Sequence, residues 1–380
     1  MTLPNMIWLL LIIPTIFVLF IWLKHIVHTP LIRANLTQFD FPRIPNLTNS
    51  LASNAHKDIE FFLKKAEQDN HLLSNKERLI KIRKTMDDGG VRVEIPAKII
   101  SINSDQINTS KDLLEKNVQP GVRGEWIISP TVTHPNKARR ILYIHGGGFY
   151  LGSPKSHRII TNKFSEIANA SVFALDYRLR PEHPRLASLD DCKKGYLWLL
   201  ENGPEGELSS SDIIIAGDSA GGNLCLSLLA WIRDEKLLAP VAAICLSPVT
   251  DSTLSSPSVV NNLSTDVMLQ SGIKPLLEHS LTTLLIGGWL DNKVKLTDPR
   301  ISPLFGDLSN LPPTLIQVSD SECLEDDARR YANKAIQAGS PVTLQVSANM
   351  MHVWHTFEPE LEEAKAAFDE IKTFISQLES

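Results

Sequence analysis

The chain has 380 residues, of which 43% are hydrophobic, so it can bury one large core and still carry an appendage. The formal net charge of −5 provides no basic field to attract a nucleic acid, so we expect no nucleic-acid partner. The cysteines are far apart and lack metal-site spacing, so we interpret them as core residues and expect no bound metal. They are Cys192, Cys225, Cys245 and Cys323.

Residues 6–23 form an uncharged apolar run whose length approaches that of a membrane-spanning helix. Pro14 lies inside the run, and transmembrane helices tolerate proline. Trp8 and Trp22 lie near its two ends, where interfacial anchors are found. We therefore expect residues 1–28 to form an N-terminal single-pass membrane anchor. A cleaved signal peptide is the alternative, but the basic first region and the Ala-x-Ala cleavage site are missing.

The basic residues next to the apolar run indicate its orientation. Lys24 and Arg33 follow the run and no lysine or arginine precedes it, which favours a cytoplasmic placement of the remaining chain. A lumenal or periplasmic placement is the alternative, and it would make the N-glycosylation sequons relevant. The sequons include those at Asn35, Asn46, Asn108 and Asn262.

The region after the anchor changes from linker-like to helical. Residues 24–50 contain prolines and several Asn and Thr residues, a composition typical of a linker. Helical patterns follow at 56–69 and 75–86, before a glycine pair. We expect residues 29–90 to supply this linker and the N-terminal part of a helical cap.

From residue 91 onward, short apolar runs alternate with helix-length segments. Several runs are continuously aliphatic, which is typical of strands covered on both faces. The pattern predicts an α/β domain over residues 91–378, with a mostly parallel central sheet of about eight strands. The predicted strands are 91–95, 124–129, 140–145, 171–177, 212–217, 241–247, 314–319 and 342–347.

One connection is too long for a simple crossover between strands. It runs from the strand that ends at Ser247 to the strand that begins at Thr314, and it includes a helical pattern near 271–285. We therefore expect a cap insertion around residues 250–300.

The stretch IIIAGDSAGG places a serine between a strand pattern and a helix pattern. Gly217, Ser219 and Gly221 fit the G-x-S-x-G motif of a nucleophile elbow. Larger side chains at the two glycines would collide with the adjoining strand and helix. Such a turn exposes the serine Oγ and directs the N–H of Ala220 at a developing oxyanion. The alternative is an ordinary tight turn.

A second glycine-rich stretch, HGGGF, ends the strand pattern at 140–145. Successive glycines are retained where backbone amides must approach another group closely. We expect the N–H groups of Gly147 and Gly148 to complete an oxyanion hole with Ala220. For His145 we expect a structural role; the alternative for the whole stretch is a flexible turn.

The stretches HGGGF, DYRLRPEHP (176–184) and GDSAGG occur in this order. Together they resemble the hormone-sensitive-lipase branch of the α/β-hydrolase fold, which includes bacterial carboxylesterases and arylacetamide-deacetylase-like enzymes. The resemblance covers roughly residues 75–378. It implies a helical cap above the sheet, carboxylester hydrolysis without a cofactor, and a small hydrophobic ester as substrate.

The resemblance also implies a catalytic acid and base. Glu322 occupies the family's acid position after the strand at 314–319, with Asp320 as the alternative. His352 matches the family histidine, with His355 one helical turn later as the alternative. We expect Asp326 and Asp327 to stabilise the N-terminus of the following helix.

These residues predict a serine esterase with a Ser-His-Glu triad. Ser219 attacks the ester, His352 transfers the proton, and Glu322 orients the imidazole. Acyl groups of short to medium length are expected from the resemblance. The competing hypothesis is a receptor-like binding protein on the same fold, although such proteins lose the histidine that this chain retains; an anchored scaffold is a second competitor.

Overall fold

A nine-stranded sheet forms the centre of the part of the chain that the computed structural model describes. The described residues are 43–44, 75–91, 95–104, 121–135, 139–270, 272–273 and 294–378. The strands are β1 (Arg43–Ile44), β2 (Lys98–Ser104), β3 (Val122–Ile128), β4 (Arg140–Ile144), β5 (Ser171–Leu175), β6 (Asn202–Gly203), β7 (Gly206–Glu207), β8 (Ile213–Asp218), β9 (Ala242–Leu246), β10 (Thr314–Ser319) and β11 (Val342–Ser347).

Helices alternate with most of these strands. The α-helices are α1 (Asn75–Gly89), α2 (Arg158–Ala168), α3 (Arg185–Glu201), α4 (Ala220–Asp234), α5 (Ser258–Asn261), α6 (Glu325–Gln337) and α7 (Glu362–Gln377). Short 3-10 helices lie at Lys155–His157, Pro303–Phe305 and Trp354–Phe357.

The sheet is mostly parallel, with strand order β1-β11-β10-β9-β8-β4-β5-β3-β2. Pairing is parallel from β1 to β5, whereas β3 pairs antiparallel with both β5 and β2. Every residue of β4, β5, β8, β9 and β10 is buried. A strand buried on both faces needs apolar side chains at every position, which explains the continuous aliphatic runs in the sequence.

The core consists of two layers, one on each face of the sheet. Leu142 of β4 belongs to the layer that contains Leu228 of α4, and its neighbour Ile141 belongs to the layer that contains Phe164 of α2. Neighbouring strand residues point to opposite faces, so each central strand contributes to both layers. This three-layer arrangement is the α/β-hydrolase architecture that the sequence predicted.

The strand predictions agree with the structure within two residues, except at the edges of the sheet. The strand predicted at 91–95 is wrong in position, because β2 begins at Lys98 and residues 92–94 lie outside the described part. In β2, Ile100 and Ile102 pack against the core; Ser101 and Asn103 alternate with them, whereas Ile99 interrupts the alternation. Edge strands covered on one face have short, alternating signals that are easily misplaced along the chain.

The predicted cap elements are only partly within the described residues. The helix predicted at 75–86 is present as α1 and extends to Gly89. The helical pattern at 56–69 and nearly all of that at 271–285 lie outside the described residues. The domain boundaries at 1–28, 29–90 and 91–378 therefore stay predictions.

The predicted membrane localisation is contradicted by the helices of the structure. Across the described ranges, no helix is both long enough and apolar enough to span a bilayer. The longest of them, α3, has 17 residues and contains several charged side chains, whereas a span needs about 20 apolar residues. The apolar run at 6–23, on which the predicted anchor, its membrane contact and its orientation rested, lies outside the described residues.

Candidate active site

The turn between β8 and α4 holds Ser219 in a strained backbone conformation. Its φ is 52° and its ψ is −116°, in a region that residues with a side chain rarely adopt. The Ser219 N–H donates to the carbonyl of Leu246 at 2.8 Å, which ties the turn to the end of β9. The serine side chain is thereby presented at the carboxyl end of the central strands.

Two glycines permit this turn because the chain passes very close to the end of β4. A Cβ at Gly217 would lie 2.6 Å from the carbonyl oxygen of Ile144, and a Cβ at Gly221 would collide with the same oxygen. Real side chains do not tolerate such approaches, so both positions require glycine. The collision involves the neighbouring strand β4, which the sequence pattern did not identify.

Ser219, His352 and Glu322 form a continuous chain of two hydrogen bonds. The Ser219 Oγ lies 2.9 Å from His352 Nε2, and His352 Nδ1 lies 2.6 Å from Glu322 Oε2. The exposed fractions of the three residues are 8%, 6% and 0%. With Nδ1 donating to the carboxylate, Nε2 can accept the serine proton.

Glu322 is held by further hydrogen bonds, whereas the alternative acid is bound elsewhere. The Oε1 of Glu322 accepts the Ser319 N–H at 2.8 Å and the Ser247 Oγ–H at 2.9 Å. Asp320 instead accepts the Asn349 N–H at 2.8 Å, so its carboxylate ties two loops together. The structure brings Glu322, and not Asp320, to the histidine.

Burial of His352 and its pairing with Glu322 shift the pKa of the imidazole in opposite directions. Burial lowers the pKa of His352, but the hydrogen bond and the charge of Glu322 outweigh it, so the pKa lies above its ordinary value of 6.5. Burial raises the pKa of the Glu322 carboxyl. Asp266 and Asp218 also favour the charged imidazole.

His355 lies in a different environment from His352. Its Nε2 lies 2.8 Å from Gln317 Oε1, and its ring packs against Trp354 with a centroid distance of 4.1 Å. It is fully buried, and burial lowers its pKa to about 3. A neutral imidazole fixed to an amide is a packing residue, so the structure separates the two histidines by role.

The glycine-rich loop after β4 is bound by the Asp218 carboxylate. The Oδ1 of Asp218 accepts the Gly146 N–H at 3.0 Å and the Tyr143 Oη–H at 2.6 Å. Beyond this point Gly147 and Gly148 have φ of 113° and 63°, conformations that favour glycine. The carbonyl of Gly147 accepts the N–H groups of the two residues that follow Phe149, which closes the loop into a tight turn.

His157 completes the polar cluster under this loop, and sequence analysis did not identify it. Its Nε2 lies 3.4 Å from Asp218 Oδ2, and both residues are buried. Burial lowers the pKa of His157, but the charge of Asp218 outweighs it and raises the pKa above 6.5. In return, His157 and Tyr143 hold the pKa of Asp218 below its ordinary value, despite the burial of the carboxyl. The histidine comes 12 residues after His145, a spacing that follows no motif.

Arg83 of helix α1 also binds the glycine-rich loop. The guanidinium donates to the carbonyl of Tyr150 at 2.8 Å and to the carbonyl of Arg180 at 2.8 Å. It also pairs with the Glu182 carboxylate at 2.9 Å. Arg83 thereby joins the loop at 176–184 to the glycine-rich loop.

Asp326 and Asp327 lie in the first turn of α6, as the predicted role at the helix N-terminus requires, and their side chains also bind another loop. Asp327 Oδ2 accepts the N–H groups of Thr250 and Asp251 at 2.7 and 2.9 Å, and Asp326 Oδ2 accepts the Ser258 N–H at 2.8 Å. Both carboxylates thus stabilise the conformation of residues 250–258, which follow β9.

The described residues contain no group of three or more His, Cys, Asp or Glu side chains that could hold a metal. The four cysteines are free and buried.

Comparisons with known proteins find a hydrolase family and named esterases that are similar to this chain. A family profile described as the α/β-hydrolase fold matches residues 141–356, which include Ser219, Glu322 and His352. An acetyl-hydrolase of Streptomyces hygroscopicus is 38% identical over 242 residues, which are 62% of this chain and 75% of that protein. An esterase of Acinetobacter venetianus is 37% identical over 264 residues, which are 68% of this chain and 80% of that protein.

The chain belongs to the α/β-hydrolase family. A solved structure described as a hormone-sensitive lipase from a metagenome library aligns with this hydrolase at a TM-score of 0.69 and 29% identity. The alignment covers 87% of this chain and 98% of that one. An esterase of the bacterial hormone-sensitive lipase family aligns with the same TM-score at 28% identity, covering 88% and 99% of the two chains. This hydrolase is therefore an esterase of the hormone-sensitive-lipase branch.

Replacement of Gly221 by alanine tests the constraint on the nucleophile turn. The new Cβ would collide with the Ile144 carbonyl oxygen, so we expect the free energy of unfolding to fall by about 1–3 kcal/mol or more. Gly89→Ala is the matched control, because a Cβ there meets nothing within 4 Å at the end of α1. Urea unfolding of both variants provides the measurement, and equal stabilities would contradict the constraint.

Proposed function

We propose that this esterase hydrolyses uncharged, hydrophobic carboxylic esters of short to medium acyl chains through an acyl-enzyme intermediate. Ser219 is the nucleophile, His352 the general base and acid, and Glu322 the residue that orients the imidazole. The observation that carries the proposal is the unbroken chain from Ser219 Oγ through His352 to Glu322, with distances of 2.9 and 2.6 Å.

In the acylation half, the Ser219 Oγ forms a bond to the ester carbonyl carbon while its proton passes to His352 Nε2. The carbonyl oxygen becomes negatively charged in the tetrahedral intermediate. When this intermediate collapses, the bond to the alcohol oxygen breaks, and that oxygen takes the proton from Nε2. Glu322 stabilises the imidazolium that exists between the two transfers.

In the deacylation half, a water molecule replaces the alcohol. His352 Nε2 takes one proton from the water while the water oxygen bonds to the acyl carbon. The second tetrahedral intermediate collapses, the Ser219 Oγ leaves, and the proton returns to it. The carboxylic acid is released and the enzyme regains its starting protonation.

The N–H groups of Gly147, Gly148 and Ala220 form the proposed oxyanion hole. Ala220 is the first residue of α4, where backbone N–H groups have no acceptor within the helix and the helix dipole favours negative charge. Gly147 and Gly148 lie in the positive-φ turn anchored through Gly146 to Asp218. One such donor is typically worth about 3 kcal/mol in the transition state.

The substrate class is supported by the names of relatives and by the family resemblance. One relative is named an acetyl-hydrolase, and a second, from Pseudomonas putida, is named an ethyl acetate hydrolase. Both names describe small uncharged acyl groups. We further propose that residues 29–90 supply a linker and the N-terminal part of a helical cap over the site, and that the insertion around 250–300 supplies another part; the contacts of Arg83 in α1 with the glycine-rich loop support this arrangement.

Removal of the nucleophile distinguishes an esterase from a ligand-binding protein. With a series of p-nitrophenyl esters, we expect Ser219→Ala to reduce kcat/KM by about 10³-fold or more. A fluorophosphonate probe should label the wild-type enzyme at Ser219 and should not label the variant. No turnover of any acyl length would favour the binding hypothesis, and turnover that persists at the wild-type rate in Ser219→Ala would overturn the assignment of the nucleophile.

The two histidines provide a matched pair of variants. We expect His352→Ala to lower kcat by about 10³- to 10⁴-fold, because it removes the proton carrier. His355→Ala should keep substantial activity and lose stability, since it removes a buried ring from the core. Steady-state kinetics together with thermal unfolding separates the effects, and the reverse ranking would overturn the assignment.

The acid limb of the pH profile reports the protonation of His352. The base must be neutral to act, so kcat/KM should fall as pH decreases through an inflection above 6.5. In Glu322→Gln the favourable charge is lost while burial remains, so the limb should move to lower pH and the plateau should fall by about 10³- to 10⁴-fold. An unchanged inflection would contradict the assigned role of Glu322.

A further inference from the structure

The backbone around Glu322 is bound by side chains from one distant segment, residues 258–266. We name residues 320–323 the acid loop. Asn262 lies directly after helix α5, and its Nδ2 donates to the carbonyl of Asp320 at 2.9 Å and to the carbonyl of Glu322 at 2.9 Å. A third, longer contact joins the same Nδ2 to Glu325 Oε2 at 3.3 Å. One amide group therefore spans the acid loop on both sides of Ser321.

The remaining carbonyls of the acid loop are bound by the same segment. Thr265 Oγ1 donates to the carbonyl of Ser321 at 3.0 Å, and Ser258 Oγ donates to the carbonyl of Cys323 at 2.7 Å. Asp266 Oδ2 accepts the Cys323 N–H at 2.8 Å. Four successive carbonyls and one N–H are thus satisfied by four side chains of residues 258–266.

Outside the segment at 258–266, the backbone N–H groups of the acid loop are bound near the end of β10 and β11: the Asp320 N–H donates to the carbonyl of Ser347 at 3.0 Å, and the Ser321 N–H donates to Ser319 Oγ at 3.2 Å. The Glu322 N–H reaches the carbonyl of Ser319 at 3.3 Å, which is a long hydrogen bond. The Glu322 carboxylate must nevertheless lie within 2.6 Å of His352 Nδ1. A displacement of about 1 Å in a reacting group can cost roughly 100-fold in rate, so the position of this backbone matters for catalysis.

We propose that Asn262 is a positioning residue that holds Glu322 in register with His352 through the backbone of the acid loop. It does not touch the reacting atoms. The proposal rests on the role assigned to Glu322 under the proposed function.

Asn262 is well suited to a test because it carries no charge. Asp266 and Asp218 both influence the protonation of His352, and Asp266 also acts on Glu322. Replacement of Asn262 leaves these carboxylates in place. A change in the pH profile of an Asn262 variant therefore reports the contact between Glu322 and His352.

The hydrogen bonds of Asn262 Nδ2 also determine whether the N-glycosylation sequon that begins at Asn262 can be used. N-glycosylation would modify Nδ2, the atom that donates to both carbonyls of the acid loop. A glycan there is incompatible with the native loop. Ser264→Ala removes the sequon at an exposed position and leaves the amide intact, so it is the matched control.

The experiment compares Asn262→Ala and Asn262→Asp with Ser264→Ala. Both Asn262 variants should lower kcat by roughly 10- to 100-fold with KM within about twofold, because neither can donate to the two carbonyls. The acid limb of Asn262→Ala, which adds no charge, should move to lower pH, toward that of Glu322→Gln. Ser264→Ala should keep wild-type kcat and pH profile. Titration with a fluorophosphonate corrects each rate for the fraction of folded enzyme.

A double-mutant cycle with Glu322→Gln separates a positioning role from a purely structural one. In the Glu322→Gln background, Asn262→Ala should cause no further loss per folded molecule, because the group that it positions is already absent. An equal loss in both backgrounds, or wild-type kcat in Asn262→Ala, would overturn the proposal. If Glu322→Gln alone keeps wild-type activity, the triad assignment itself is wrong.

Thr265→Val provides a second variant in case Asn262→Ala does not fold. It removes one donor to the acid loop from an exposed position without a change of shape. We expect kcat to fall by roughly 2- to 10-fold, with the acid limb again moved to lower pH. An unchanged pH profile and kcat would contradict the proposal.

Discussion

The site depends on a carboxylate that carries charge inside the protein. Glu322 is fully buried, and an unpaired charge in such a place would cost several kcal/mol. The fold offsets this cost with three donors: the Ser319 N–H, the Ser247 hydroxyl and His352 Nδ1. The first two occupy Oε1, which directs Oε2 at the imidazole. The orientation of the His352 ring therefore follows from the hydrogen bonds that the protein makes to the Glu322 carboxylate.

The donors converge because parallel strands end at one edge of the sheet. Ser219 follows β8, Ser247 follows β9, and Ser319 ends β10, so three adjacent strands deliver them to the same place. His352 arrives on the loop after β11. Binding sites of open α/β sheets lie at the carboxyl ends of the strands for this reason. Ser219, Glu322 and His352, the proposed catalytic residues, are therefore far apart in the chain and close in space.

The glycine-rich loop after β4 is bound by side chains from two other parts of the chain. From inside, Asp218 binds the Gly146 N–H and is itself surrounded by Tyr143 and His157. From outside, Arg83 binds the carbonyl of Tyr150. Glycines cost backbone entropy on folding and do not specify their own conformation. Neighbouring polar groups must therefore supply the rigidity that an oxyanion hole needs.

By itself, the sequence determined the α/β class, most central strands and the position of the turn that holds Ser219, because strand burial and that turn leave local patterns. The family resemblance favoured Glu322 over Asp320 and His352 over His355, but no local pattern of the sequence separated the members of either pair. Tertiary structure decided between Glu322 and Asp320, and it revealed His157 and Asn262. Their roles arise from hydrogen bonds between segments distant in the chain, and such contacts impose no periodicity or spacing that a linear pattern could reveal.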